Sequence, residues 1–261
     1  MGVLDKILET KRRELEALRK LALPTPPPLR PVGLRRGTGE PLKFLTEIKF
    51  RSPSAGPLST TLSVGERALA YEQGGAAMLS VLCDRSYFDG SFEHLALARA
   101  ACSLPLLCKE FVIDEIQLEA ARAFGADAVL LIVRCLSEAR LLALVKAATA
   151  LGLAPLVEIS TEQEAELAVR SGAELVGVNA RDLDTLQMDA TRAQRILAAL
   201  PPDRVRIHLS GVTSEEAVAS LAEGPADAVL IGEVLMREAY PTPLLRRLVS
   251  AAGGHRSPQQ D

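Results

Sequence analysis

The 261-residue sequence predicts a (β/α)8 (TIM) barrel with one extra helix ahead of it. Three observations carry that expectation. Short apolar runs recur at 42–49, 76–82, 105–109, 128–133, 154–159, 175–179, 205–210 and 228–232. They are continuous rather than alternating, as suits strands buried on both faces. Segments of helical character, such as DEIQLEAARAFG and TEQEAELAVRSG, separate them, which implies βαβ units and a parallel sheet. A weak repeat (GGAAMLSV, FGADAVLLI, SGAELVGV, GPADAVLIG) sets a glycine between helix and strand, where it closes the helix with φ > 0 at no steric cost. A doubly wound open sheet competes with the barrel, but it calls for a GxGxxG turn after an early strand, and none is present.

In chain order, residues 3–21 place apolar side chains at Leu4, Ile7, Leu8, Leu15, Leu18 and Leu21, roughly one helical stripe. PTPPPLRP then breaks any helix and reads as an extended connector. The barrel follows over 41–252, after an N-terminal portion of 1–40, and the tail 253–261 is expected to be disordered. The whole is read as one domain.

Composition narrows the function. Residues are 48% hydrophobic, only 3% aromatic, and the net charge is −3, without the basic, aromatic-laced patch of a nucleic-acid binder. No run approaches the ~20 apolar residues of a membrane span, and the charged N-terminus lacks the core of a signal peptide. Cys83, Cys102, Cys108 and Cys135 form no CxxC pair and have no neighbouring His, which argues against a metal site and fits reduced thiols in the cytoplasm.

Barrels of this kind place their chemistry where strands end. The strand ends here read Glu47/Lys49, Cys83/Asp84, Lys109/Glu110, Arg134, Glu158, Asn179/Arg181, Ser210/Gly211 and Gly232/Glu233. Glu47 and Lys49 share a face, since alternate strand residues point the same way. Charges ending apolar strands are costly unless paired or used. A network of ion pairs closing the barrel is the bland reading; a convergent active site is the other. Ser210-Gly211 and Gly232-Glu233, after strands seven and eight, suit the anion cradle that barrels often build from backbone N–H groups there.

The same residues carry a resemblance. EIKFRSPSAG, PLLCKEFVID and GVNARDL, with VLDKILETKRREL before them and VLIGEVLM after, resemble in order the motifs of the indole-3-glycerol phosphate synthase family. The resemblance runs nearly end to end. It implies a carboxy-lyase of tryptophan biosynthesis, cytoplasmic and monomeric, acting on a small phosphorylated substrate without cofactor, metal, nucleic acid or membrane. It assigns Lys109 as general acid and Glu158 as acid or base, with Lys49, Glu47 and Asn179 completing the catalytic set. Arg181 and Ser52 would hold polar groups, and Phe111 and Leu131 would pack on the aromatic ring. Ser210, Gly211, Gly232 and Glu233 would surround the phosphate. Glu110 is expected to support rather than act.

Two positions depart from the pattern. Leu209 stands where the family usually has glutamate, and Ala180 replaces a second asparagine. Leu209 leaves open a slower enzyme, recruitment of His208, or a phosphate-binding paralogue with altered or lost catalysis. A Schiff-base aldolase using Lys49 or Lys109 is a further alternative.

Overall fold

The computed structural model describes residues 2–52, 56–182, 185 and 187–253. Eight parallel strands close into a barrel in sequence order: β1 (Lys43–Ile48), β2 (Met78–Leu82), β3 (Leu106–Lys109), β4 (Ala128–Ile132), β5 (Ala154–Ile159), β6 (Leu175–Asn179), β7 (Val205–Leu209) and β8 (Ala228–Ile231). Closure is made by β1, which pairs with β8 through Lys43↔Ala228 and with β2 through Leu45↔Met78. All eight expected strands are present. The expected chain path is joined by one unforeseen feature, a short antiparallel pairing of Arg51–Ser52 with Gly56–Pro57 just after β1.

Helices alternate with the strands: α2 (Val64–Gly74), α3 (Arg85–Phe88), α4 (Phe92–Ala101), α5 (Glu115–Ala123), α6 (Glu138–Ala150), α7 (Glu162–Arg170), α8 (Ala190–Ala199), α9 (Glu215–Ala222), α10 (Glu233–Met236) and α11 (Pro241–Ala252). Their starts are written locally. Ser63 with Glu66, Asp114 with Gln117 and Thr161 with Glu164 form reciprocal caps that satisfy the first free N–H groups of α2, α5 and α7. Of the repeat glycines, Gly75 and Gly125 take left-handed φ of 97° and 101°, whereas Gly224 is not among the positive-φ residues and its repeat is one of sequence only.

Strand parity divides the apolar residues into two cores. Leu45, Met78, Leu107, Leu130, Leu156, Ile207 and Leu230 fill the barrel interior. Their neighbours, among them Phe44, Leu79, Cys108, Val129, Leu131 and Val157, face the helices. By burial alone this apolar material supplies the main stabilisation, at roughly 25 cal/mol per Å² removed from water.

The extra helix α1 (Val3–Arg19) precedes the barrel as expected. Its buried side is Leu4, Ile7, Lys11 and Leu15, so a lysine occupies the stripe while Leu21 is 45% exposed. The Pro-rich connector then leads to the strand starts. Buried Asp127, before β4, accepts from the N–H groups of Arg30 (2.6 Å) and Leu106 (2.9 Å) and pairs with Arg99 at 2.7 Å. Arg99 also donates to the Pro28 carbonyl. Asp227, before β8, accepts from the N–H groups of Arg36 (3.0 Å) and Arg206 (2.8 Å). Between these two anchors Leu34, 1% exposed, packs with the barrel interior. Most of the tail, residues 254–261, lies outside the described residues, as do 53–55, 183, 184 and 186 of the loop motifs. No helix among the described residues is long and apolar enough to cross a membrane.

Candidate active site

One cavity of about 450 Å³ opens at the carboxyl ends of the strands. Twelve of the thirteen residues expected at the site line it: Glu47, Lys49, Ser52, Lys109, Phe111, Glu158, Asn179, Arg181, Ser210, Gly211, Gly232 and Glu233. They come from six of the eight strands or the loops directly after them, which is what parallel closure does to residues far apart in sequence.

Glu47 and Lys49 meet across one face of the β1 end, Nζ to Oε1 at 2.8 Å. Glu47 is 2% exposed. Burial alone would push its carboxyl up, but the ammonium groups of Lys49 and Lys109 outweigh that and hold it below the usual range. Gly232 makes room for this carboxylate: a Cβ there would stand 2.6 Å from Glu47 Oε1. That is a close approach only glycine permits.

Glu158, equally buried, accepts at Oε1 from the Asn179 side-chain amide at 2.9 Å, while its Oε2 lies 3.8 Å from Lys109 Nζ. Asn179 is itself held by the Arg181 N–H, which donates to its Oδ1 at 2.9 Å. The acid and the amine therefore stand on one rim, with the second carboxylate oxygen buried beside Lys109 and without a hydrogen bond among the described residues.

After β7 the chain turns through two left-handed residues, Ser210 (φ 70°) and Gly211 (φ 83°). Ser210 is the unusual member, because a non-glycine residue in this region is strained. Its carbonyl accepts from His208 Nε2 at 3.0 Å, which fixes the tautomer. Beside it, after the neighbouring strand β8, Gly232 and Glu233 start α10, and the Glu233 carboxylate pairs with Arg237 at 2.8 Å.

Two corrections follow. Leu131 belongs to the outer core and does not line the cavity; Ile132 does. The error is one of parity, since a single step along a strand reverses the face. His208 likewise alternates with the inward Ile207 and Leu209, so it is not recruited to the cavity; burial lowers its pKa. His94 is half-buried, edge-on to Phe50 at 5.5 Å. Leu209, by contrast, does line the cavity. Its Cδ1 would lie 2.6 Å from a Cβ on Gly177, so the glycine of β6 accommodates it.

Sequence reasoning missed part of the wall. Phe88 lines the cavity beside Phe111, ring centroids 6.1 Å apart, and α1 contributes Val3, Leu4 and Ile7 from above. The only sequence signal for the latter was the amphipathic stripe. No group of three or more His, Cys, Asp or Glu residues able to hold a metal ion occurs among the described residues.

Known proteins match this chain in sequence and in fold. The family model described as indole-3-glycerol phosphate synthase matches residues 4–248. The indole-3-glycerol phosphate synthase of Mycobacterium ulcerans is 41% identical over 264 residues, covering 98% of this chain and 96% of the relative. Indole-3-glycerol phosphate synthase 2 of Streptomyces coelicolor is 43% identical, covering 92% and 93%. Among solved structures, 3-hexulose-6-phosphate synthase from Salmonella typhimurium aligns with a TM-score of 0.64 at 13% identity, covering 81% of this chain and 98% of that one. Thiamine phosphate pyrophosphorylase from Pyrococcus furiosus aligns at 0.63 and 12%, covering 83% and 98%. At that identity these two speak for the fold alone. The family match spans almost the whole chain and both halves of the cavity, and the chain belongs to the indole-3-glycerol phosphate synthase family.

Proposed function

We propose that this chain converts 1-(2-carboxyphenylamino)-1-deoxyribulose 5-phosphate to indole-3-glycerol phosphate, carbon dioxide and water. The observation that carries the reading is the juxtaposition of Lys109 and Glu158 at 3.8 Å on the rim of a cavity with an apolar wall on one side. In the reaction a ring carbon attacks the ketone, the carboxylate leaves as carbon dioxide, and the former ketone oxygen departs as water.

Lys109 is the general acid that protonates the ketone oxygen as the carbon–carbon bond forms. Glu158, kept in place by Asn179, exchanges the proton needed for dehydration through its free oxygen. Each positioned donor or acceptor of this kind contributes ~10²–10⁴-fold in rate. Lys49 faces the anthranilate carboxylate, and Glu47 holds its ammonium in place. Arg181 and Asn179 meet the substrate's hydroxyl groups. Phe88, Phe111 and Ile132 enclose the aromatic ring, and excluding water there strengthens the charge interactions beside it. Ser52 and the backbone of Ser210, Gly211, Gly232 and Glu233 take the phosphate, with the Glu233 carboxylate drawn off by Arg237. We read the protein as a monomer acting in the cytoplasm, by likeness to the family.

Leu209 favours a second reading, a paralogue that binds the substrate without turning it over. Loss of a charged group from a site of this kind is comparable to losing an oxyanion-hole donor, roughly 3 kcal/mol of transition-state stabilisation. A fluorescence assay for the indole product, with carbon dioxide release measured in parallel, decides between them. Turnover abolished by Lys109→Ala supports the synthase. Tight binding with no carbon dioxide supports the paralogue, and a substrate adduct trapped by borohydride would point to imine chemistry instead.

A further inference from the structure

A buried ammonium on α1 ties the roof of the cavity to its wall. Lys11 lies in the apolar stripe of α1, one turn beyond Ile7, and is 1% exposed. Its Nζ stands 2.7 Å from Asp84 Oδ2, 3.2 Å from Glu110 Oε1 and 2.6 Å from Glu14 Oε2. Each acid has a second task. Asp84, just after β2, accepts from the Tyr87 N–H at 2.6 Å and so caps α3, the helix that carries Phe88. Glu110, directly after Lys109, accepts from the Phe111 N–H at 2.7 Å. Glu14 accepts from the Ser86 hydroxyl at 3.1 Å.

A lone ammonium at this depth would cost several kcal/mol in lost hydration. Burial alone would push Lys11 down, yet the carboxylates of Glu110 and Asp84 reverse that and keep it charged. Two more contacts brace the same helix, Thr10 to the Tyr87 hydroxyl at 3.2 Å and Arg19 to Asp114 at 2.7 Å. The cluster takes no step in the chemistry above. It joins the two loops that present the aromatic wall to the one helix that covers it.

We propose that Lys11 is a positioning residue, a clasp that holds the roof formed by Val3, Leu4 and Ile7 against the Phe88–Phe111 wall through Asp84 and Glu110. The inference rests on the proposed reaction only for its kinetic readout. The clasp itself is read independently, from amide hydrogen exchange in residues 3–19. Breaking it leaves the rim groups in place but unroofs the substrate's ring, so the loss falls on binding.

The test compares the full chain with Lys11→Met and with the double variant Lys11→Met/Glu110→Gln, which removes one buried charge of each sign and guards against simple unfolding. In both, exchange in residues 3–19 is expected to rise at least ten-fold, while α9, after the strand opposite β3, keeps its rates. KM for the anilino-ribulose phosphate rises at least ten-fold and kcat changes less than three-fold. If the double variant folds with wild-type exchange in α1, or if KM moves while that exchange does not, the proposal is overturned. If the wild-type protein shows no turnover yet exchange in α1 rises as stated, the clasp stands and the proposed reaction falls.

Discussion

Lys109 Nζ and Glu158 Oε2 lie 3.8 Å apart, close enough to feel each other's charge and too far for a tight hydrogen bond. The other Glu158 oxygen is committed to Asn179, so Oε2, buried beside Lys109, is the one without a hydrogen bond among the described residues. Lys109→Ala and Glu158→Gln should each lower kcat by about 10²–10⁴-fold. KM should move much less, because neither group supplies most of the binding surface. Steady-state kinetics on purified variants check this; a kcat within three-fold of wild type in either would remove that residue from the proton transfers.

Gly232 should be intolerant of a methyl group. A Cβ there would sit 2.6 Å from Glu47 Oε1, and the carboxylate cannot yield without leaving Lys49. Gly232→Ala is expected to lower kcat/KM at least ten-fold. Overpacking of this kind costs ~1–3 kcal/mol, which a denaturant midpoint would show as a modest loss beside the larger kinetic one.

Adjacent residues of β4 should respond in opposite ways. Leu131→Ala empties space between barrel and helices and is expected to destabilise the fold by about 2–5 kcal/mol with KM unchanged. Ile132→Ala, on the cavity wall, should raise KM. Urea unfolding and kinetics on the pair check the parity assignment, and equal KM values for the two variants would contradict it.

Stability should depend on pH through Glu110. Burial, eased by Lys11 and aggravated by Asp84, pushes its carboxyl from an ordinary 4.5 up to about 7. The folded chain thus prefers the protonated form. Its favourable contribution is complete below about pH 4.5 and is lost as pH rises through about 7, a change of a few kcal/mol. Lys11 stays charged throughout that window. Glu110→Gln removes the dependence, so the variant should gain on wild type as pH rises from about 4.5 to about 8, measured as the difference in urea midpoints. A constant difference would place the Glu110 pKa near its ordinary value.

Leu209→Glu should raise kcat several-fold while lowering stability. The register sets residue 209 beside Asn179, so a carboxylate there would join the reacting group's surroundings. Burying an acid in place of a leucine costs cavity packing and hydration together. Kinetics and a thermal melt on one preparation read both effects, and an unchanged kcat would show that this cavity does not use an acid at that place.

The barrel was legible because its signals are local and repeated. Continuous apolar runs such as AVLLIV and glycine-closed helices such as the one ending at Gly75 announce strands and crossovers without reference to anything distant. Glu47, Lys49, Lys109, Glu158 and Asn179 were legible as charged or polar ends on apolar strands. Leu131 was misplaced because composition does not reveal parity in a strand apolar on both faces. Lys11 escaped notice for the opposite reason: one charge in an amphipathic helix reads as surface, and only tertiary packing brings Asp84 and Glu110 to it. Phe88 lacked any pattern of its own, being placed by the cap at Asp84.

The pairing of β1 with β8 has a consequence for the chain's behaviour before it is complete. A finished ring offers no row of unsatisfied N–H and C=O groups to a stranger. A chain ending short of residue 228 lacks the last member, and then β1 and β7 both become bare margins, flat, apolar and ready to add strands from other molecules. Fragments of that length should therefore aggregate rather than persist as smaller folded units, and solubility should return only when the sequence extends through Ile231.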